Sequence, residues 1–214
     1  MGETSRVGIS ASKVVALIGT LFLFYESYLT FFSQETFPQI LIPILLGILG
    51  IVLGIFVFIS LNIFQTTKFI IPYKSWLLLI IGIGIALLFF FYVGPFLGGL
   101  LIAIAGFVEA LSDDQKYKSS KVVGLIGALW TIIFNAAPSI VGAQDAFVIV
   151  WSVINIILAV ILLLTMQKKI TINIPYAWWV VLIIGFVIFM FPNGYTNYGG
   201  AIILVSFILV LMAY

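Results

Sequence analysis

Glu26 is the residue of this sequence best placed to do chemistry. It lies in Tyr25-Glu26-Ser27-Tyr28, inside a long apolar run. An ionisable group among lipid chains costs roughly 3 kcal/mol on insertion scales for an aspartate near the centre, and it marks a functional site by default. A carboxyl so placed is suited to carry a proton or to bind a cation. The plainer reading is structural: Glu26 sits near the outer interface or bonds to the hydroxyls of Tyr25, Ser27, Tyr28 and Thr30. Asn135 and Asn155 are two further polar groups within apolar runs. Amides in such places hydrogen-bond between helices and hold bundles together; the alternative is that they line a substrate path. Glu109 stands near Asp113 and Asp114. Paired carboxylates suit Mg²⁺, but no further spaced acids complete a site, so these residues read as a solvated loop that offsets neighbouring lysines.

The exclusions are broad. The chain has no cysteine and no histidine. Thiolate nucleophiles, zinc sites built on Cys and His, haem ligation by His and His-based acid–base catalysis are all absent from it. An aspartyl dyad needs two acids in hydrogen-bonding range, and the middle thirds of the apolar runs hold no aspartate. No catalytic, cofactor-binding or metal-binding set is therefore expected.

The elements that position these residues follow from composition. The chain has 214 residues, 64% hydrophobic and 7% charged, with mean hydropathy +1.35. Soluble domains have about 25% charged residues, so lipid must be the solvent here. A spanning helix takes about 20 apolar residues. Eight are expected, over about 13–32, 40–64, 75–92, 96–111, 121–141, 146–166, 177–191 and 198–214. With this count all nine cations fall on one side: Arg6, Lys13, Lys68, Lys74, Lys116, Lys118, Lys121, Lys168 and Lys169 occupy the N-terminal segment and alternate loops. Lys and Arg accumulate in cytoplasmic loops, which sets both termini in the cytoplasm. The first run begins near Val14 and has full-span length, so it is not expected to be a cleaved signal. The net charge of +2 suits anionic headgroups of the inner leaflet and is too weak for nucleic acid.

The chain also repeats itself. Lys13-Val14-Val15-Ala16-Leu17-Ile18-Gly19 matches Lys121-Val122-Val123-Gly124-Leu125-Ile126-Gly127 with one difference. Ile71-Pro72-Tyr73 with Trp76 and Gly82 matches Ile174-Pro175-Tyr176 with Trp179 and Gly185, and Gly98-Gly99 matches Gly199-Gly200 more weakly. The position of Glu26 falls on Phe134, so the second copy lacks the acid. Two four-helix units are expected, 1–112 and 113–214. Each has an even number of spans, so the repeat is parallel. Pro72, Tyr73 and Trp76, with Pro175, Tyr176 and Trp179, read as anchors at the inner interface, because Tyr and Trp settle at headgroup level and proline suits a first helical turn. Gly50 and Gly54 form a GxxxG that marks close helix packing.

A lone glutamate in a first span is similar to the small multidrug transporters, which are four-helix proteins. The similarity covers that one residue, and this chain departs from it by carrying the acid in one unit only and by repeating in parallel. The fold class expected is an all-α integral membrane protein of the cell membrane, in contact with the lipid bilayer. The function expected is non-enzymatic: an accessory or scaffolding subunit, associated with other membrane subunits or with copies of itself. The alternative is a small transporter or channel coupled through Glu26.

Overall fold

The computed structural model describes residues 9–32, 41–62, 71–91, 96–111, 118–141, 146–166, 176–190 and 196–212. These residues form eight helices and no strand: α1 (Ala11–Thr30), α2 (Leu41–Ser60), α3 (Ser75–Phe91), α4 (Phe96–Leu111), α5 (Ser119–Val141), α6 (Ala146–Met166), α7 (Trp178–Met190) and α8 (Thr196–Leu211). Four of them, α1, α2, α5 and α6, are long and apolar enough to cross a membrane. The other four are equally apolar but shorter, with 13 to 17 residues each. At 1.5 Å per residue a 16-residue helix covers about 24 Å, short of the ~30 Å hydrocarbon core.

Contacts divide the chain into two compact units, Met1–Asp113 and Asp114–Tyr214. In the first, α4 packs against both α1 and α3, and α2 lies along α1. Small residues permit these approaches. A Cβ on Gly98 of α4 would stand 2.4 Å from the Leu23 backbone nitrogen of α1, and one on Gly82 of α3 would stand 2.2 Å from the Ala103 nitrogen of α4. No rotamer change relieves a collision with backbone, so a larger side chain must separate the helices. The buried face of α2 is Pro43, Gly47, Gly50, Gly54, Val57 and Ser60. That spacing of three and four residues is one stripe of a helix. Gly54 receives the Phe24 ring of α1, which places the GxxxG glycines on the α1-facing side. The opposite side of α2 exposes Leu45, Ile48, Val52 and Ile55, an apolar surface suited to lipid. The helix closes at Asn62, which takes φ 49°, a left-handed conformation that asparagine tolerates at a helix end, and its N–H donates to Ile59.

In the second unit α8 packs against α5 and α7, and α6 lies along α5. Gly127 and Gly199 face each other: a Cβ on either would come within 3.0 Å of the other's carbonyl oxygen. The buried stripe of α6 is Ser152, Asn155, Ala159 and Leu162. Ala159 and Leu162 join Val181, Ile184, Ile188 and Ile203 in the apolar core of this unit.

Candidate functional site

Glu26 reaches the start of α4. Its Oε1 accepts the Leu97 N–H at 3.2 Å and its Oε2 accepts the Gly98 N–H at 2.9 Å. The first four N–H groups of a helix have no partner within it, and the partial positive charge there favours an anion. Glu26 thus supplies from α1 a cap for α4. The reach depends on the close α1–α4 packing at Gly98, because the carboxylate stands one helical turn from Leu23, the residue that meets Gly98. The partners are backbone amides 71 and 72 residues away, rather than the neighbouring hydroxyls that one structural expectation named. Ser27 beside it is buried, and its hydroxyl has no partner among the described residues.

Asn135 and Asn155 lie together in the second unit, both fully buried. Asn155 Nδ2 donates to Asn135 Oδ1 at 3.5 Å, a long bond, and Asn135 Nδ2 donates to the Thr131 carbonyl at 2.7 Å. Asn155 Oδ1 has no partner among the described residues. The pair joins α5 to α6. Glu26 belongs to the other unit, so the three polar residues singled out in the sequence do not form one site within either unit.

A second polar group gathers at one end of each unit. In the first, the Lys13 ammonium lies 5.5 Å from the centre of the Tyr73 ring. Ser12 Oγ donates to Glu109 of α4. The Tyr73 hydroxyl is buried without a well-formed hydrogen bond among the described residues, although the Ser12 hydroxyl lies near it, and burial raises the phenol pKa. In the second unit the Lys121 ammonium lies 5.5 Å from the Tyr176 ring and donates to the Met166 carbonyl. There the phenol is satisfied: Tyr176 shares a 2.8 Å bond with Ser206 and donates to the Ser120 carbonyl, and burial again raises its pKa. No protein-family model matches the chain, and no curated protein or solved structure is found similar to it.

The remaining expected residues are distributed as follows. Trp76 and Trp179 are exposed at the starts of α3 and α7, and Pro72 is exposed just before α3. Pro175, Asp113 and Asp114 lie outside the described residues. Among the described residues no three acids gather to hold a metal. Sequence reasoning missed Ser12, Ser120 and Ser206, and it took the tyrosines as anchors only. The signal available was the recurrence of a lysine and a tyrosine in both units, which a cation–ring contact explains.

Proposed function

We propose that the chain is a multi-pass protein of the cell membrane with eight spans and both termini in the cytoplasm. Two tandem, parallel four-helix units form it. We infer further that it is non-enzymatic and works as an accessory or scaffolding subunit, through its lateral helix faces. The observation that carries this reading is the engagement of Glu26. Both carboxylate oxygens are occupied by amides of α4, so the acid carried by α1 has a structural task. Two further features support it. Long apolar faces remain exposed on α2 and α6, including Leu45, Val52, Val153 and Ile157. The duplication is supported by matched close approaches, Gly19 with Gly98 and Gly127 with Gly199, and by matched cation–ring pairs. One-sided placement of all nine cations supports the eight-span count.

The test is gentle extraction of the tagged protein from its own membranes, followed by mass and composition of what accompanies it. The expected result is a stoichiometric membrane partner. A lone species of 23.6 kDa, or a homo-oligomer without other subunits, would sink the scaffolding reading and favour transport.

A further inference from the structure

The first unit contains a cavity of about 180 Å³ between the start of α1, the end of α2 and the segment before α3. Its polar lining is Lys13, Ser60, Asn62 and Tyr73, and Ile59 and Ile71 supply apolar wall. Three properties of this lining point to a ligand. Among the described residues its one charged group, Lys13, is a cation. The Tyr73 hydroxyl is a buried group with no well-formed hydrogen bond among the described residues, since the nearby Ser12 hydroxyl donates to Glu109, and a buried hydroxyl left so is costly unless something binds it. Asn62 adds an amide held by the left-handed turn that ends α2. Glu109 is the nearby acid, but it does not line the cavity, and Ser12 donates to it. A cation with neutral donors, and no carboxylate among the described lining residues, suits an anion with several acceptor oxygens. The apolar wall and the place at the ends of apolar helices suit an anion attached to acyl chains. The second unit has the same lysine and tyrosine, yet Tyr176 is spent on Ser206 and Ser120, which singles out the first unit.

We propose that this cavity binds a phosphate group, that of an anionic phospholipid headgroup in the inner leaflet, with Lys13 as the counter-charge and Tyr73 as hydroxyl donor. The leaflet rests on the orientation proposed above; the phosphate chemistry does not.

Native mass spectrometry of the detergent-solubilised full chain, titrated with phosphatidylglycerol, phosphatidylcholine or inorganic phosphate, tests it. Phosphatidylglycerol should be retained over phosphatidylcholine. Lys13→Gln should weaken retention about tenfold, the worth of one charge-assisted bond, and Lys13→Arg should restore most of it. Tyr73→Phe should weaken it several-fold; removing a hydroxyl with no well-formed bond to the described protein groups leaves folding intact. Displacement of the lipid by millimolar inorganic phosphate would support the chemistry and identify free phosphate as the source. Equal retention of both lipids, or retention unchanged in both Lys13→Gln and Tyr73→Phe, would overturn the proposal. Because the chain lacks cysteine, Ser10→Cys gives a clean topology probe. Labelling of intact cells by an impermeant maleimide would overturn the cytoplasmic N-terminus, while the lipid titration still decides the anion site.

Discussion

Removing the Glu26 carboxylate should loosen the first unit at one defined place. Glu26→Ala deletes two charge-assisted bonds to α4, at 3.2 and 2.9 Å. Bonds to charged groups are worth about 1.5–3 kcal/mol each in net terms, and an amide left unsatisfied costs about 1–3 kcal/mol. Two effects reduce that total. Polar bonds between membrane helices average only about 0.6 kcal/mol in measured cases, because the unfolded chain finds other partners. Glu26 is also only partly buried, so water can reach part of what is exposed. The expected loss is therefore about 2–3 kcal/mol for Glu26→Ala, below the full sum of two charged bonds. Glu26→Gln keeps one carbonyl oxygen as acceptor, loses the charge and turns an NH₂ toward an N–H. It should cost about half as much. Unfolding by sodium dodecyl sulfate in mixed micelles, followed by far-UV circular dichroism, reads the free energy. Amide exchange reads the place: Leu97 and Gly98 should lose protection before the middle of α4 does. Unfolding of Glu26→Ala at the wild-type detergent fraction, with Leu97 and Gly98 still protected, would refute the capping argument.

Three further outcomes follow from the packing and the polar pairs. Gly98→Ala should destabilise by about 1–3 kcal/mol in the same titration, as overpacking does, because the new Cβ meets Leu23 backbone; Gly84→Ala, with open space around it, should change stability by less than about 1 kcal/mol and serves as the control. Tyr176→Phe should cost about 1–2 kcal/mol through its bonds to Ser206 and Ser120, whereas Tyr73→Phe should be neutral in the absence of ligand. The raised Tyr176 pKa gives this a pH signature: its neutral form is favoured in the folded state, so the contribution is present below the ordinary phenol pKa and is lost as pH rises beyond it, and the alkaline fall in stability should be smaller in Tyr176→Phe. Asn155→Leu should cost less than about 1 kcal/mol, since the bond to Asn135 is long and the Asn155 carbonyl oxygen is already unpartnered; a loss above 2 kcal/mol would show that the pair is a stronger clamp than its geometry allows.

Helix positions were legible because apolar runs bounded by charge, proline and glycine leave little choice. The run from Phe96 to Leu111 is set by Gly94-Pro95 before it and the charged stretch after it, and α4 has those limits. The recurring Lys-Val-Val motif suggests a division near residue 113, and contacts separate Met1–Asp113 from Asp114–Tyr214. The partner of Glu26 was not legible. Its bonds go to backbone amides of α4, and every residue has an amide, so no side-chain pattern announces them. The α1–α4 neighbourhood that permits the bonds depends on Gly98, which in sequence is one glycine among 19. The phenol environments were hidden for a related reason. Tyr73 and Tyr176 follow the same Ile-Pro, yet α8 offers Ser206 to Tyr176, and at the matching place α4 has only the buried methyl of Ala105.

On the duplication proposed above, that difference is one of three by which the units diverge while keeping their glycine crossings. Glu26 faces the start of α4 where Phe134 stacks on Trp130 in the second unit, 4.3 Å between ring centres. Asn135 stands where the first unit has Ser27, and Asn155 lies on the buried stripe of α6 much as Gly50 does on that of α2. The second unit keeps a polar contact on the matching pair, α5 with α8 through Ser120 and Ser206, and has another between α5 and α6 through the asparagines, while the Glu26 contact of α1 with α4 has no counterpart at Phe134. A transport path shared by two equivalent halves would place its polar groups at matching positions in both. Polar contacts at unmatched positions fit a different constraint, in which each unit fixes its own bundle and presents its own outer face. Glu26 and Asn155 can therefore be exchanged separately. The double variant Glu26→Ala with Asn155→Leu should lose the sum of the single losses to within about 0.5 kcal/mol, as independent sites do. A coupling above 1 kcal/mol would mean that the two units share a polar network and would revive the transport reading.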